Sequence, residues 1–228
     1  MDPAPYIALA VLTLGLVAAN SFWPSRRRRV ERALVARPRA LVHDAHGTTR
    51  LTGRVRRIGE LLCAPLSGRP CVAYEVVVQE LGRSSGPGVP AWRSVERSDA
   101  HPFLVADESG EARIDTSGPY LMSLSYDHSG NTGGFDKFPD KHPALATFLL
   151  SLAVVPTNWL GRWRRFRYAE GVLEEGELVS VSADSVLEVD PMGEREDLRS
   201  PPRRLVLRGR EGRPLLISDA REVQGSGS

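Results

Sequence analysis

The sequence predicts an α+β fold in which β-structure dominates: an antiparallel, barrel-like domain with one inserted helix, preceded by an N-terminal transmembrane helix. Three observations carry this prediction. From Arg39 onward, short runs of alternating apolar residues are separated by Gly, Pro, Asp and Ser, which is typical of strands joined by turns. A longer apolar run lies within residues 144–160, and a charge-free run of nineteen residues lies near the N-terminus. We therefore expect four parts: an anchor at 1–24, a basic juxtamembrane segment at 25–49, a β-rich domain at 50–220 and a flexible tail at 221–228.

The strands are predicted from their own patterns. Residues 72–79 are rich in β-branched side chains and indicate a central strand, and residues 92–97 alternate as a half-buried strand does. Residues 103–115 contain a Ser-Gly turn and predict a hairpin. Further strands are expected at 178–182, 185–189, 204–207 and 215–218, with a last hairpin turn at 208–213 and loops at 82–90 and 127–136.

The apolar run Ala144–Leu160 predicts a core helix rather than a second membrane span. Its unbroken apolar part covers about a dozen residues, whereas a span needs about twenty. Asp140 fits an N-cap and Pro143 fits the first turn. A second crossing would also place the arginines around 162–167 outside, against the positive-inside rule. Trp159 and Trp163 leave open a contact with the bilayer surface.

The first nineteen-residue apolar run, Pro5–Trp23, predicts the membrane anchor. As a helix rising about 1.5 Å per residue it would be about 28 Å long, close to the thickness of the hydrocarbon core. Tyr6 near one end, and Phe22 and Trp23 at the other, are aromatic residues of the kind that favour the membrane interface. The anchor residues are therefore Pro5, Tyr6, Phe22 and Trp23, and the first expected partner is the lipid bilayer.

Four consecutive arginines, Arg26, Arg27, Arg28 and Arg29, follow the apolar run and predict its orientation. Positive residues stay on the cytoplasmic side, so we expect a single-pass protein with its N-terminus outside and its domain in the cytoplasm. A cleaved signal peptide would carry its positive charge before the apolar run, where this chain has only the α-amine and Asp2. Ala18 and Ala19 keep cleavage, or a helix lying on the lipid surface, as alternatives.

Charge and composition argue against several functional classes. Residues 24–57 hold eleven Arg against two acidic residues, whereas residues 58–228 carry a net charge of −6. A nucleic-acid-binding protein more often spreads basic residues over its folded body, so we expect no nucleic-acid partner. The two cysteines, Cys63 and Cys71, cannot form a disulfide framework and do not make a CxxC pair.

Residue patterns typical of catalysis, metal binding or cofactor binding are scarce, and we predict none of these sites. His43 and His46 are three residues apart, but in a strand and turn their side chains would diverge, so we interpret them as solvated loop residues. The Asp99-Ala-His101 segment lacks an activated nucleophile beside it, and Glu174, Glu175 and Glu177 fit a solvated turn. Cys63 and Cys71 are more typical of small core residues than of nucleophiles.

Four stretches, in order, resemble one family: residues 62–75, 101–115, 168–182 and 204–218. Together they are similar to the GIDE-type, or "beside a membrane", domain of Mulan-like ubiquitin ligases and their bacterial relatives. The resemblance implies a β-rich domain at about 50–220 behind an N-terminal membrane helix. The ligases continue into a RING domain, which needs about eight Cys and His ligands, and this sequence has no such cluster.

The resemblance therefore implies a membrane-anchored binding or scaffold module without its own catalytic centre. Its expected partners are the bilayer and a membrane or cytoplasmic protein, with self-association possible. Three alternatives stay open: a part in a ubiquitin-transferase-like activity, a cryptic hydrolase, and a structural envelope protein without a ligand.

Overall fold

The computed structural model describes residues 24–82, 91–132, 138, 140–157, 163–190 and 202–225. The elements in these residues are three helices and thirteen strands. The helices are α1 (Pro24–Val35), α2 (Pro143–Ser151) and α3 (Arg221–Gly225). The strands are β1 (Thr48–Arg57), β2 (Leu62–Cys63), β3 (Pro70–Cys71), β4 (Ala73–Gly82), β5 (Ala91–Ala100), β6 (Phe103–Asp107), β7 (Gly110–Asp115), β8 (Tyr120–Ser123), β9 (His128–Asn131), β10 (Phe166–Leu173), β11 (Leu178–Val189), β12 (Arg203–Arg208) and β13 (Leu215–Ser218).

Five strands close a small barrel in the order β1, β6, β7, β12, β11 and back to β1. The ring closes because β1 changes partner along its length: Thr48–Arg54 pair with β11, and Arg54–Arg57 pair with β6. Gly53 lies at this change, where a Cβ atom would stand 2.4 Å from the Ala106 carbonyl oxygen. Inward-facing residues of all five strands fill the interior, among them Leu51, Phe103, Ile114, Val181 and Leu207.

The tight turn expected at 208–213 is present, because Arg210 and Arg213 exchange both backbone hydrogen bonds at 2.9 Å, but the strands that flank it do not pair with each other as a hairpin. Both β12 and β13 pair antiparallel with β11, β12 along residues 184–189 and β13 along 180–182. Strand β1 occupies the other edge of β11 over residues 178–184, so β12 and β13 share one edge and run in the same direction. Residues 209–214 therefore leave the sheet and return to the same edge of β11, where β13 continues in the direction of β12. The Gly-rich pattern predicts the turn but does not indicate where the chain goes after it.

A second sheet, in the order β5-β4-β10-β9, stands beside the barrel and carries α2 on one face. Phe148 and Leu149 of α2 are buried against Val76, Phe166 and neighbouring apolar residues of this sheet. The predicted core helix is confirmed, but it ends at Ser151 instead of continuing to Leu160. His142 occupies the N-cap position rather than Asp140, without a side-chain hydrogen bond, and Pro143 lies in the first turn as expected.

Helix α1 lies within the segment predicted to be a basic juxtamembrane stretch, and it packs against β13 and α3 beside the barrel. Val30 and Leu34, four residues apart and so on one face, are buried against Leu216, Ala220 and Val223. Buried Arg50 of β1 brings its guanidinium within 3.5 Å of the Leu34 carbonyl oxygen, at the helix end where the dipole favours a cation. The apolar spacing of Val30 and Leu34 was visible in the sequence beneath the arginine run.

The N-terminal half of α1 meets the second sheet through a polar cluster, in which the Arg26–Glu96 pair is exposed and Glu75 is buried. Arg26 pairs with Glu96 of β5 at 3.1 Å, and Arg27 donates to Glu31 at 2.8 Å. Beside them, Glu75 of β4 accepts the Leu124 N–H at 3.3 Å. Burial raises the pKa of Glu75 to about 7, against the opposing effects of that hydrogen bond and of the arginines. Burial also raises the pKa of Asp219 nearby.

The predicted fold class is confirmed at the level of a β-dominant, barrel-containing domain with few helices. The hairpin at 103–115 is confirmed as β6 and β7. The sheet is not wholly antiparallel, because β12 pairs with β7 and β13 with β8 in parallel. Part of the loop expected at 127–136 is instead β9, which pairs with β10. Among the helices of the described residues, none is long and apolar enough to cross a membrane, and residues 1–23 lie outside that description.

Candidate functional site

The barrel is open at one end, where the ladder between β1 and β11 stops. Its last pair is Thr48 with Asp184, and one further hydrogen bond runs from the Ser185 N–H to the Gly47 oxygen at 3.1 Å. Beyond this point β11 continues to Val189 with β12 on one side. Residues 186–189 therefore have one edge in a ladder and one edge that meets no strand of the described chain.

The direction of the hydrogen bonds along β11 identifies which backbone groups face the open edge. Ser185 donates toward the β1 side, whereas the Asp190 N–H donates to the Pro202 oxygen on the β12 side at 2.8 Å. Successive residues of a strand point their backbone groups to opposite sides. Leu187 and Val189 therefore direct both N–H and C=O to the open edge, while Val186 and Glu188 bond to β12.

A groove of about 760 Å³ lies against this edge and forms the mouth of the barrel. Its floor is apolar and buried, made by Val42, Ala45 and Leu205. Leu187 faces the same side as the barrel interior but is 60% exposed, because β11 has run past the rim. The remaining lining residues are His43, His46, Gly47, Ser109, Gly110, Glu111, Ser185, Asp190, Pro202, Arg203 and Arg204.

The carboxylate of Asp107 joins two segments that line the groove, residues 42–43 and the β6–β7 turn. It accepts the Val42 N–H at 2.8 Å and the Ser109 and Gly110 N–H groups at 2.8 and 3.1 Å, while the Ser109 hydroxyl accepts the His43 N–H at 3.0 Å. Burial alone would raise the pKa of Asp107, but these hydrogen bonds outweigh it and the pKa lies below its ordinary value. One ionised side chain thus ties the 42–43 segment to the β6–β7 turn.

The rim of the groove carries charges of both signs. Arg204 pairs with Asp190 at 2.7 Å, and Glu111 pairs with Arg56 at 2.7 Å. His43 lies 3.0 Å from Asp44, and Arg203 and His46 are exposed. An apolar floor with a mixed polar rim is typical of sites that bind amphipathic ligands, and it does not single out a polyanion or a polycation.

The four predicted anchor residues, Pro5, Tyr6, Phe22 and Trp23, lie outside the described residues. The predicted topology residues lie at the start of α1, and the structure separates them into two pairs. Arg26 and Arg27 make the ion pairs described above, and the Arg27 guanidinium lies 5.9 Å from the centre of the Tyr126 ring. Arg28 and Arg29 are exposed to solvent.

Of the residues weighed for catalysis, Cys63 and Cys71 lie on the paired strands β2 and β3, and Glu174 is close enough to contribute to the raised pKa of the Cys71 thiol. Cys63 is exposed and Cys71 is buried, and burial raises the pKa of the Cys71 thiol to about 12, so that it stays protonated near neutral pH. His101 lies 2.9 Å from the Glu60 carbonyl oxygen rather than on Asp99. Glu174 and Glu175 pair with Arg69 and Arg57. Over the described ranges, no three His, Cys, Asp or Glu side chains are grouped as a metal site requires.

The sequence pattern predicts a strand at 185–189 but does not indicate that it lies on an edge. The exposed apolar side chains there are Val186, Leu187 and Val189, at 41%, 60% and 60% exposure. Three apolar residues in a predicted strand are ordinarily read as core, and only the pairing register shows that these pass the barrel rim. His43 and His46 are exposed as predicted, but they also belong to the groove.

Comparison of the chain with known protein families, with curated proteins and with solved structures finds no match.

Proposed function

We propose that this chain is a membrane-anchored binding module, similar to the GIDE-type domain, that holds a partner protein in the barrel-mouth groove beside the membrane. The observation that supports it most is the groove itself: exposed Leu187 stands over the buried apolar floor of Val42, Ala45 and Leu205. Isolated exposed apolar residues are ordinary on protein surfaces, but apolar residues lining one concave site indicate binding.

Three of the four stretches that resemble the family have the local structure expected of them. Residues 62–75 form a tight turn that leads into β4, residues 101–115 form the β6–β7 hairpin, and residues 168–182 form β10, a Gly176 turn and the start of β11. Residues 204–218 differ, because β12 and β13 are one interrupted strand. This agreement supports the proposal of a GIDE-like domain.

The packing of α1 supports the proposal that the domain is held close to the membrane surface. In our proposal residues 1–23 form a transmembrane helix with its N-terminus outside, and the chain enters α1 directly afterwards at Pro24. The Arg26–Glu96 pair and buried Val30 and Leu34 fasten α1 to the domain. A helix of twelve residues is about 18 Å long, so the domain would be held close to the bilayer surface.

The test uses the full chain in the membranes of cells that express it. A photo-crosslinking amino acid replaces exposed His46 on the groove rim, and the matched control replaces Leu150, which is 63% exposed on α2. We expect discrete adducts from position 46 and none of the same mass from position 150. Leu187→Asp, which places a charge over the apolar floor, should abolish the adducts from position 46. Adducts that are equal at both positions, or unaffected by Leu187→Asp, would contradict the proposal.

A further inference from the structure

We infer that the groove takes an extended peptide segment, which adds as a strand to the open edge of β11 and carries apolar side chains at alternate positions. This inference rests on the proposed function and specifies what the groove binds. It depends on the backbone of β11, whereas the proposed function depends on the side chains of the groove.

The backbone of β11 offers a row of groups that an extended segment satisfies. Leu187 and Val189 each present one N–H donor and one C=O acceptor at the open edge, and no hydrogen bond to either group is made by the described residues. A guest strand would pair with these groups as β1 pairs with residues 178–184 of the same edge. A helix or a compact ligand has no free backbone groups to match them.

The side chains around the edge specify the guest's pattern. Leu187 stands on the groove side of β11, next to Leu205 of β12 in the same register. Neighbouring strands place their side chains on common faces, so alternate guest residues would lie beside Leu187 on the face that lines the groove. The intervening guest residues would point to solvent. The four residues of β11 at the open edge, at about 3.3 Å each, give a contact about 13 Å long.

A second copy of this chain fits the edge less well than a different protein does. Two-fold pairing about Leu187 would place Val189 of one copy opposite Ser185 of the other. The Ser185 N–H already donates to Gly47 of its own chain, and the Ser185 hydroxyl also donates to that oxygen at 2.9 Å. Gly47 therefore occupies the place that the second copy would need in this register. Pairing about Glu188 or Val189 would avoid Gly47, but it would place Glu188 opposite Glu188 or Asp190 of the other copy. Like charges directly opposite each other are destabilising, so we assign the groove to a segment of another protein.

The experiment compares Leu187→Pro with Leu187→Val in the full chain carrying the crosslinker at position 46. Proline and valine have similar apolar side chains, but proline lacks the N–H that faces the open edge and leaves the β12 ladder its hydrogen bonds. We expect Leu187→Val to retain adduct formation and Leu187→Pro to weaken it roughly tenfold, as the loss of a buried hydrogen bond does. Val189→Pro should have a similar effect, which guards against a folding defect specific to position 187.

Melting temperatures of all variants, measured by circular dichroism, verify that each is folded. Equal adduct formation in the proline and valine variants would overturn strand addition and leave groove binding intact. Equal loss of adducts in both variants would show that the groove recognises side chains only, and it would also overturn strand addition. An adduct with the mass of two copies of this chain would overturn the assignment to another protein. Absence of any adduct from position 46 would contradict the proposed function and therefore also this inference.

Discussion

Replacing Ala153 by glycine should stabilise the protein, although most substitutions destabilise. Helix α2 ends in a Schellman motif, in which the Ala153 N–H donates to the Leu150 oxygen at 3.0 Å and the Val154 N–H donates to the Leu149 oxygen at 2.9 Å. This motif needs a left-handed residue after the C-cap, and Ala153 has a φ of 56°. An L-residue with a Cβ atom pays about 1–2 kcal/mol in that conformation, which glycine adopts freely.

The expected gain follows from two opposing effects. Glycine removes about 1–2 kcal/mol of strain from the folded state. It also makes the unfolded chain more flexible, which costs about 0.4–1 kcal/mol. Ala153 is exposed, so little packing is lost. The net gain is about 0.5–1 kcal/mol, and at roughly 2–4 °C per kcal/mol for a chain of this size the melting temperature should rise by about 1–4 °C.

The assay is thermal unfolding of the full chain in detergent, followed by circular dichroism. Ala144→Gly is the matched control, because Ala144 is also exposed and belongs to the first turn of the same helix. At position 144 the same substitution should lower the free energy of unfolding by up to about 1 kcal/mol. A fall in melting temperature for Ala153→Gly, parallel to the control, would show that residue 153 is not held in the left-handed conformation.

Three further predictions concern the core, the buried carboxyl group of Glu75 and the orientation of the chain in the membrane. Leu149→Ala should lower the free energy of unfolding by about 2–5 kcal/mol in a denaturant titration, because Leu149 of α2 is fully buried against the second sheet; a loss below about 1 kcal/mol would place α2 outside the core. Between about pH 4.5 and 7 stability should fall as pH rises, since folded Glu75, with its pKa raised to about 7, still holds a proton that the unfolded chain has lost. Glu75→Gln should remove on the order of 3 kcal/mol of this loss of stability between pH 4.5 and 7. An unchanged pH dependence would assign the loss to another group, such as Asp219. A reporter fused after Ser228 should be active only in the cytoplasm, and activity on the opposite side would reverse the proposed orientation.

Local patterns predicted α2 and the strands β4 to β7 and β11 to β13, because apolar alternation and Pro/Gly turns act over a few residues. They did not predict β1 or β8, and β9 lies in a segment expected to be a loop. The hairpin at 103–115 needed only its own turn, and Leu149 needed only the apolar run around it. Pairing between distant strands was beyond the sequence. Nothing near residue 208 indicates that β12 resumes as β13 on the same edge of β11, and nothing near residue 187 indicates that β1 stops at Thr48. The groove arises from that difference in strand length, so the apolar residues of β11 beside it look like ordinary core residues in the sequence.

Residue-resolved amide hydrogen exchange of β11 tests the central claim, the open edge, most directly. In the full chain without a partner, the Val186 and Glu188 amides bond to β12 and should be protected. The Leu187 and Val189 amides face the open edge and should exchange much faster, which gives an alternating pattern along four consecutive residues. Addition of a partner that binds the groove should then protect Leu187 and Val189 selectively. Equal protection of all four amides in the free protein would contradict the account, because it would show that the edge of β11 is already paired.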